Sequence, residues 1–194
     1  LKADEILIGT VSTALNENRG SWDFIKAAGK LQVHFPDKKI RFVIVARIAT
    51  PKVEIDAWKR ADQAGIRKQL TLLGFRSDAL SVMAAMDMVV ICTRRAVLGR
   101  MPFEAMALGR PMVVTAGHSG RSQVVVAEET ALVVPPEKPE AIAEGLARLL
   151  ESTELCERLS KQGQAYAQQH FDSHKNALAV MKIYEEMLAK NYQS

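Results

Sequence analysis

A single carboxylate stands inside an otherwise apolar stretch near the middle of the chain. The stretch reads RRAVLGRMPFEAMALGRPMVV over residues 94–114, and its acid is Glu104. Pro102 suits the first turn of a helix and Gly109 suits the position just past its end, so Glu104 falls in the first turn of a short predicted helix. The helix dipole favours a carboxylate there by up to about 1 kcal/mol. Glu104 could accept two hydrogen bonds from a ribose diol, and a simple helix-capping role is the alternative.

The residues just before this helix have the chemistry of a phosphate site. Gly99 would let an anion come close to the backbone. The N–H groups of Arg100 and Met101 would then point at that anion from the start of the helix. Because helix starts commonly follow parallel strands, this pattern alone does not identify a ligand.

Short β-branched runs alternate with longer amphipathic stretches, which indicates βαβ units around a parallel sheet. The predicted strands are Glu5–Val11, Ile40–Val45, Leu70–Leu73, Met88–Cys92, Pro111–Thr115 and Ala131–Val134. The predicted helices between them are Ser21–His34, Val53–Ala64, Asp78–Ala85, Pro102–Leu108 and Pro139–Leu150. We therefore expect an α/β fold: a doubly wound, mainly parallel six-stranded Rossmann-like sheet in the order 3-2-1-4-5-6.

In such a sheet, ligands bind beyond the carboxyl ends of the strands, where the strand order reverses. The loops after Val11 and Cys92 should therefore face each other across one crevice, and they contain Asn16–Gly20 and Thr93–Met101. Ser21 and Ser77 are the expected N-caps of the helices that follow the first and third strands.

Two extra helices are expected at the C-terminal end, over Glu154–Gln169 and Ser173–Lys190. The last one carries an apolar stripe that needs a surface to cover it, either the sheet of the same domain or a second domain. The stripe consists of Ala177, Val180, Met181, Tyr184, Met187 and Leu188.

Length and composition favour one large domain over residues 1–194, with 48% hydrophobic residues. No stretch has the length of an apolar membrane span, and the N-terminus lacks the regions of a signal peptide. The first residues, which run almost directly into a strand without an initiator Met, suggest a start in mid-protein. Cys92 and Cys156 have no metal-ligand spacing, so we expect free thiols in a reducing compartment and no metal site.

The net charge of +4 conceals an asymmetry, because residues 1–125 carry +8 and residues 126–194 carry −4. A basic region favours nucleic acid, an anionic membrane or a phosphorylated ligand. The basic residues are not interleaved with aromatic ones, and no nucleic-acid-binding motif occurs, so nucleic acid is the weaker interpretation.

The motifs resemble the C-terminal domain of the family 4 (group 1) retaining glycosyltransferases of the GT-B fold. The segment GRMPFEAMALGRPMVV is similar to that family's FGxxxxEAMAxGxPVV signature. Other similar segments, in the family's order, are NRGSWDFIKAAGKL (EKGxxxLIEAxxxL), RFVIVA (LVIVG), LTLLGF (VxFLG), DALSVMAAMDMVVICT (DLPxLYAAADVFVLPS), GHSGRSQVVV (xxGGxPEVVE) and ALVVPPEKPEAIAEGLARLL (GLLVPPGDPEALAEAIxxLL). The resemblance covers about residues 5–172.

The resemblance implies a nucleotide-sugar donor domain that works with an N-terminal acceptor domain, absent from this chain, without a metal or other cofactor. Glu104 matches the glutamate that holds the ribose, and Arg19 and Gly20 match the basic pair at the pyrophosphate. Gly99 matches the signature glycine, with the amides of Arg100 and Met101 on phosphate. The loop from Gly74 through Phe75 to Arg76 lies where the family cradles the base, and His118 and Gly120 fall in a loop that the donor approaches.

Several positions depart from the family pattern. Ala14 stands where a second diphosphate arginine is usual, and Ala96 where a glutamate lies near the donor sugar. The glycine that ends LVIVG is Ala46, and the glutamate of PEVV is Gln123.

New cations lie near these positions, at Arg47, Arg94, Arg95 and Arg100. We hypothesise that one or more of the last three substitutes electrostatically for the absent arginine. Solvated surface arginines are the alternative.

The resemblance predicts transfer of a sugar, with retention, to a glycan, lipid-linked or lipopolysaccharide acceptor. The expected location is cytoplasmic, with peripheral contact at the inner face of the membrane as a further candidate. Three alternatives stay open: a nucleotide-sugar-binding domain with a degenerate site, another GT-B enzyme such as a sugar-nucleotide epimerase, and a nucleic-acid-binding module.

Overall fold

The computed structural model describes residues 4–94, 99–115 and 125–191. Within them, six strands form one sheet in the order β3-β2-β1-β4-β5-β6. The strands are β1 (Ile6–Val11), β2 (Ile40–Val45), β3 (Leu70–Gly74), β4 (Met88–Ile91), β5 (Met112–Thr115) and β6 (Leu132–Val134). All neighbouring strands are parallel. The doubly wound α/β fold and its strand order are therefore confirmed.

The helices of the described residues also follow the predicted plan. They are α1 (Ser21–His34), α2 (Pro51–Gln63), α3 (Ala79–Ala84), α4 (Met101–Ala107), α5 (Pro139–Glu151), α6 (Thr153–His170) and α7 (Ser173–Asn191). Helix α2 begins two residues before the predicted Val53, because Pro51 occupies its first position and the Thr50 hydroxyl accepts a hydrogen bond from the Val53 N–H at 3.4 Å.

The two serines expected to cap helices do not cap them. Helix α1 has Gly20 at its N-cap, and Ser21, its first residue, accepts a hydrogen bond on its hydroxyl from the Asn16 N–H at 3.1 Å. Helix α3 has Asp78, not Ser77, at its N-cap. Both predictions were wrong by one residue, because side-chain type alone does not show where the backbone turns into the helix.

Two apolar cores sandwich the sheet, since successive strand residues point to opposite faces. On one face Ile8 and Ile44 pack with the buried sides of α1, α2 and α5. On the other face Val43 and Val89 pack with α3, α4 and the C-terminal part of α6. Both faces are covered, which explains why most strand residues are apolar throughout.

Helix α7 lies against neither core. Its large apolar side chains, such as Val180, Met181 and Tyr184, are at least 49% exposed. The predicted apolar stripe is therefore present but uncovered within the described residues. No described helix combines the length and hydropathy required to cross a bilayer.

Candidate functional site

The loops after β1 and β4 meet, as the strand order predicted. The Arg94 N–H donates to the Asn18 carbonyl at 3.2 Å, which joins the two loops directly. The sheet therefore brings the Arg19 and Gly20 segment next to the segment that leads toward α4.

Position 20 requires glycine for two reasons, its backbone conformation and the close approach of a neighbouring side chain. Its φ is 67°, and a Cβ built on it would lie 2.3 Å from the Cβ of Cys92. The Asn16 side-chain oxygen accepts from the Arg19 N–H at 3.0 Å and fixes the turn into α1. The Arg19 side chain is partly exposed and has no ion pair within the described part of the chain.

A cavity of about 410 Å³ opens at the carboxyl ends of the first three strands and the N-terminal ends of α3 and α4. Five of the residues singled out from the sequence line it: Arg47, Phe75, Arg100, Met101 and Glu104. The rest of the lining is Val11, Ser12, Thr13, Val45, Ala46, Arg76, Ser77, Ala79 and Leu80. Residues from four separate loops thus line one cavity at this edge of the sheet, whereas Arg19, Gly20 and Arg94 do not line it.

Glu104 lies in the first turn of α4, as predicted, and its side chain is 26% exposed. Its carboxylate is 4.0 Å from Nε of Arg100, whose own side chain is 89% exposed. The N-cap of α4, Arg100, makes no side-chain capping hydrogen bond. The carboxylate and the helix start therefore face the cavity together, which suits a ligand with both hydroxyl and anionic groups.

The two glycines beside the cavity are needed for their backbone conformation. Gly74 has φ 68° and Gly99 has φ 69°, and a Cβ on either would meet nothing within 4 Å. Neither glycine lines the cavity, but each directly precedes a residue that does: Gly74 precedes Phe75, and Gly99 precedes Arg100. Their contribution is to turn the chain so that these side chains reach the cavity.

The positive charge of Arg94 is already paired with carboxylates. Its guanidinium donates to both oxygens of Asp23, at 3.0 and 2.9 Å, and to Glu17 at 2.7 Å, and it lies 3.4 Å from Glu137. The hydrogen bond to Asp23 is the main cause that raises the pKa of Arg94. This geometry favours a structural role for Arg94 over the predicted phosphate contact.

Sequence reasoning missed Asp23 and Thr115. The Asp23 side chain is only 5% exposed. The sequence feature that could have indicated its burial is its position between two aromatic residues in the first turn of α1. The Thr115 hydroxyl accepts from the Thr93 N–H at 2.8 Å and ties the end of β5 to the loop after β4.

Asp87, just before β4, accepts a hydrogen bond from the Leu7 N–H of β1 at 2.7 Å and so ties these two strands together. The remaining candidates, Arg95, His118 and Gly120, lie outside the described residues, as do Ala96 and Gln123. Among the described residues, no group of three or more His, Cys, Asp or Glu side chains is placed to hold a metal ion.

A six-stranded parallel sheet in this order, with a cavity beyond the carboxyl ends of its strands, has the doubly wound Rossmann-like architecture. The family model described as "Glycosyl transferases group 1" matches residues 2–166. The chain belongs to this family.

Curated relatives are similar along most of the chain. The D-inositol 3-phosphate glycosyltransferase of Corynebacterium glutamicum is 29% identical over 88% of this chain and 41% of its own length. The alpha-D-kanosaminyltransferase of Streptomyces kanamyceticus is 30% identical over 71% of this chain and 35% of its own length. The chain thus spans less than half the length of these curated relatives.

Solved structures show the same fold. The C-terminal domain of a group 1 glycosyl transferase family protein (LpcC) from Francisella tularensis aligns over 87% of both chains, with a TM-score of 0.75 and 23% identity. Anabaena Alr3699/HepE, solved in complex with UDP and glucose, aligns over 97% of this chain and 49% of its own, with a TM-score of 0.81 and 22% identity. The fold is that of the C-terminal half of a GT-B glycosyltransferase.

Proposed function

We propose that this chain is the donor-binding domain of a glycosyltransferase that uses a nucleotide diphosphate sugar. The observation that carries the proposal is the position of Glu104, which faces the cavity at the switch point from the first turn of α4. A similar structure, that of Alr3699/HepE, was solved with UDP and glucose. This likeness supports a nucleotide sugar as the ligand.

In this proposal Glu104 accepts hydrogen bonds from the ribose hydroxyls and orients the nucleotide. The amides of Arg100 and Met101, together with Arg19, take the diphosphate oxygens. Charge that develops on the leaving diphosphate is stabilised by these donors, an electrostatic contribution that requires no metal ion. The residues therefore bind and orient the donor, and none of them is assigned a proton transfer.

The acceptor site belongs to a second, N-terminal domain of the same protein. The uncovered apolar side chains of α7, such as Met181 and Tyr184, offer a surface that such a domain could cover. The chain's coverage of 49% of Alr3699/HepE leaves room for a domain of similar size.

The proposed reaction retains the anomeric configuration and adds a sugar to a glycan, lipid-linked or lipopolysaccharide acceptor in cell-envelope polysaccharide synthesis. A lipopolysaccharide core biosynthesis glycosyltransferase of Rhizobium meliloti, LpsD, is among the relatives, at 27% identity over 66% of this chain. Such acceptors fit a protein on the cytoplasmic side that makes peripheral contact with the membrane. The net charge of +8 on residues 1–125 would attract this region to an anionic membrane surface.

Calorimetric titration with UDP, GDP, ADP and their sugar conjugates tests the donor site. We expect one nucleotide diphosphate to bind, and Glu104→Ala to weaken it at least tenfold, since hydrogen bonds to a charged group contribute about 1.5–3 kcal/mol. Glu144→Ala is the matched control, because Glu144 is an exposed glutamate of α5 that does not line the cavity. Absence of any binding, or equal binding by Glu104→Ala, would refute the proposal.

The second candidate is a domain that binds a nucleotide sugar but has lost transfer activity. It is favoured by two departures from the family pattern, Ala14 and Ala96, each of which removes a charge. Transfer and donor-hydrolysis assays on the protein with its N-terminal domain distinguish the candidates. Binding without either reaction would favour the second.

A further inference from the structure

Helix α4, which presents Glu104, is too short to hold its own position. It spans only Met101–Ala107, whereas helices shorter than about 12 residues are marginal on their own in water. Pro102, Ala105 and Met106 are buried, which seats one side of the helix on the core. The other side, which includes Phe103 and Glu104, is half-buried, so its placement depends on contacts with the neighbouring helix α6.

Helix α6 and the residue that follows it contact α4 at both ends. The Gln164 side-chain N–H donates to the Ala107 carbonyl at 3.3 Å, at the helix end where carbonyls lack partners within the helix. At the first turn, the ring centroids of Phe103 and Phe171 are 4.3 Å apart, with an interplanar angle of 62°. The Phe171 N–H donates to the Ala167 carbonyl at 2.9 Å, so this ring starts from a fixed point at the end of α6.

Glu104 lies at the boundary of two cavities. It lines the cavity at the carboxyl ends of the strands, and it also lines a second cavity of about 410 Å³ between α4 and the end of α6. Phe103 and Phe171 line this second cavity. Because open space adjoins Glu104 in both cavities, a small rotation of the first turn would move its carboxylate from the first cavity toward the second. The contact between the two rings opposes that rotation, since it holds the preceding residue of the same turn against the end of α6.

On the basis of the proposed function, we propose that Phe103 and Phe171 are positioning residues for the ribose of the donor. Neither ring lines the cavity assigned to the donor, so both act through Glu104. Their T-shaped contact keeps the first turn of α4 in the placement in which the carboxylate faces the ribose. A contact can bias two placements by no more than its own free energy, which for an aromatic pair corresponds to about two- to tenfold.

Calorimetric titration with two ligands tests this role. The ligands are a nucleoside diphosphate and its 2′,3′-dideoxy analogue, with the base that the parent chain binds most tightly among UDP, GDP and ADP. The ratio of the two affinities is the ribose preference. We expect Phe103→Ala and Phe171→Ala each to lower this ratio about threefold and to leave the affinity for the dideoxy analogue within about twofold of the parent. The double variant should also lower the ratio about threefold, because both changes remove the same contact.

Three further variants separate positioning from loss of stability. Leu159→Ala truncates a buried side chain of α6 in the core on the opposite face of the sheet from α4. It should destabilise the fold and leave the ribose preference within about twofold of the parent. Phe171→Tyr keeps the ring and should keep the preference. Phe171→Leu keeps much of the apolar volume without the ring, so it should lower the preference even if Phe171→Ala does not fold. Circular dichroism at the titration temperature identifies the folded variants.

The outcomes separate this inference from the proposed function. An unchanged ribose preference in the folded Phe103 and Phe171 variants would overturn the inference. Equal weakening of both ligands in these variants, or a similar drop in preference in Leu159→Ala, would overturn it as well. The proposed function still stands in those cases, provided that Glu104→Ala weakens binding of the diphosphate. If the parent chain binds no nucleotide at all, the proposed function itself fails, and the inference with it.

Discussion

Replacement of Gly20 by alanine should destabilise the fold in two ways, through an unfavourable backbone conformation and through a steric clash. The residue has φ 67°, a left-handed conformation that costs a non-glycine residue about 1–2 kcal/mol. The new Cβ would also lie 2.3 Å from the Cβ of Cys92, whereas carbon atoms pack at about 3.5–4.0 Å. Relief requires the β1 and β4 loops to separate by more than 1 Å, and overpacking of this kind costs about 1–3 kcal/mol.

The alanine also restricts the unfolded chain, which returns about 0.4–1 kcal/mol. We therefore expect Gly20→Ala to lower the free energy of unfolding by about 3 kcal/mol, within a range of about 1–4.6 kcal/mol, in urea titrations followed by circular dichroism. Removal of the Cys92 thiol would not help, because the clash is with its Cβ.

Gly65→Ala is the matched control for the conformational part. Gly65 has φ 72°, but a Cβ there meets nothing within 4 Å, so only about 1 kcal/mol should be lost. Equal losses in the two variants would refute the claim that the β1 and β4 loops pack tightly at Gly20.

Two other perturbations test the surroundings of the site. Arg94→Ala leaves the buried Asp23 carboxylate without its cation and should destabilise the fold by about 3 kcal/mol in urea titrations. Adding Asp23→Asn to this variant should recover part of the loss. A loss below about 1 kcal/mol would contradict the claim that Arg94 and Asp23 form a buried ion pair. Burial raises the pKa of the Cys92 thiol, so it stays protonated in the fold while the unfolded thiol ionises near pH 8.5. Cys92 therefore lowers the free energy of unfolding as pH rises above that value. Cys92→Ala should flatten the alkaline part of a plot of the free energy of unfolding against pH. An unchanged slope would contradict the claim that burial keeps this thiol protonated.

The sheet was predictable because its strands are short apolar runs bounded by turns. Ile40–Val45 has the bounds predicted for it, and so does the helix Ser21–His34. Strand order followed from the doubly wound rule, and it placed Glu104 and the loop after β1 at one end of the sheet. Local patterns and the handedness of βαβ units contain this information.

The pairing of side chains was not predictable, since it depends on contacts between distant positions. Asp23 and Arg94 are 71 residues apart, and only the fold shows that they bind each other. In the same way, Arg47 and Phe75 belong to loops after different strands, so their contact could not be inferred from spacing. The sequence identified arginines near the site but not which of them was already neutralised.

The most direct test of the central claim is whether the Glu104 carboxylate holds a ribose diol. It compares a nucleoside diphosphate with its 2′,3′-dideoxy analogue, each titrated into the parent chain and into Glu104→Ala. We predict that the parent prefers the ribose form about tenfold or more, since a charge-assisted hydrogen bond contributes about 1.5–3 kcal/mol, and that Glu104→Ala binds the two ligands equally. An unchanged preference in Glu104→Ala would contradict the assignment of Glu104 to the ribose.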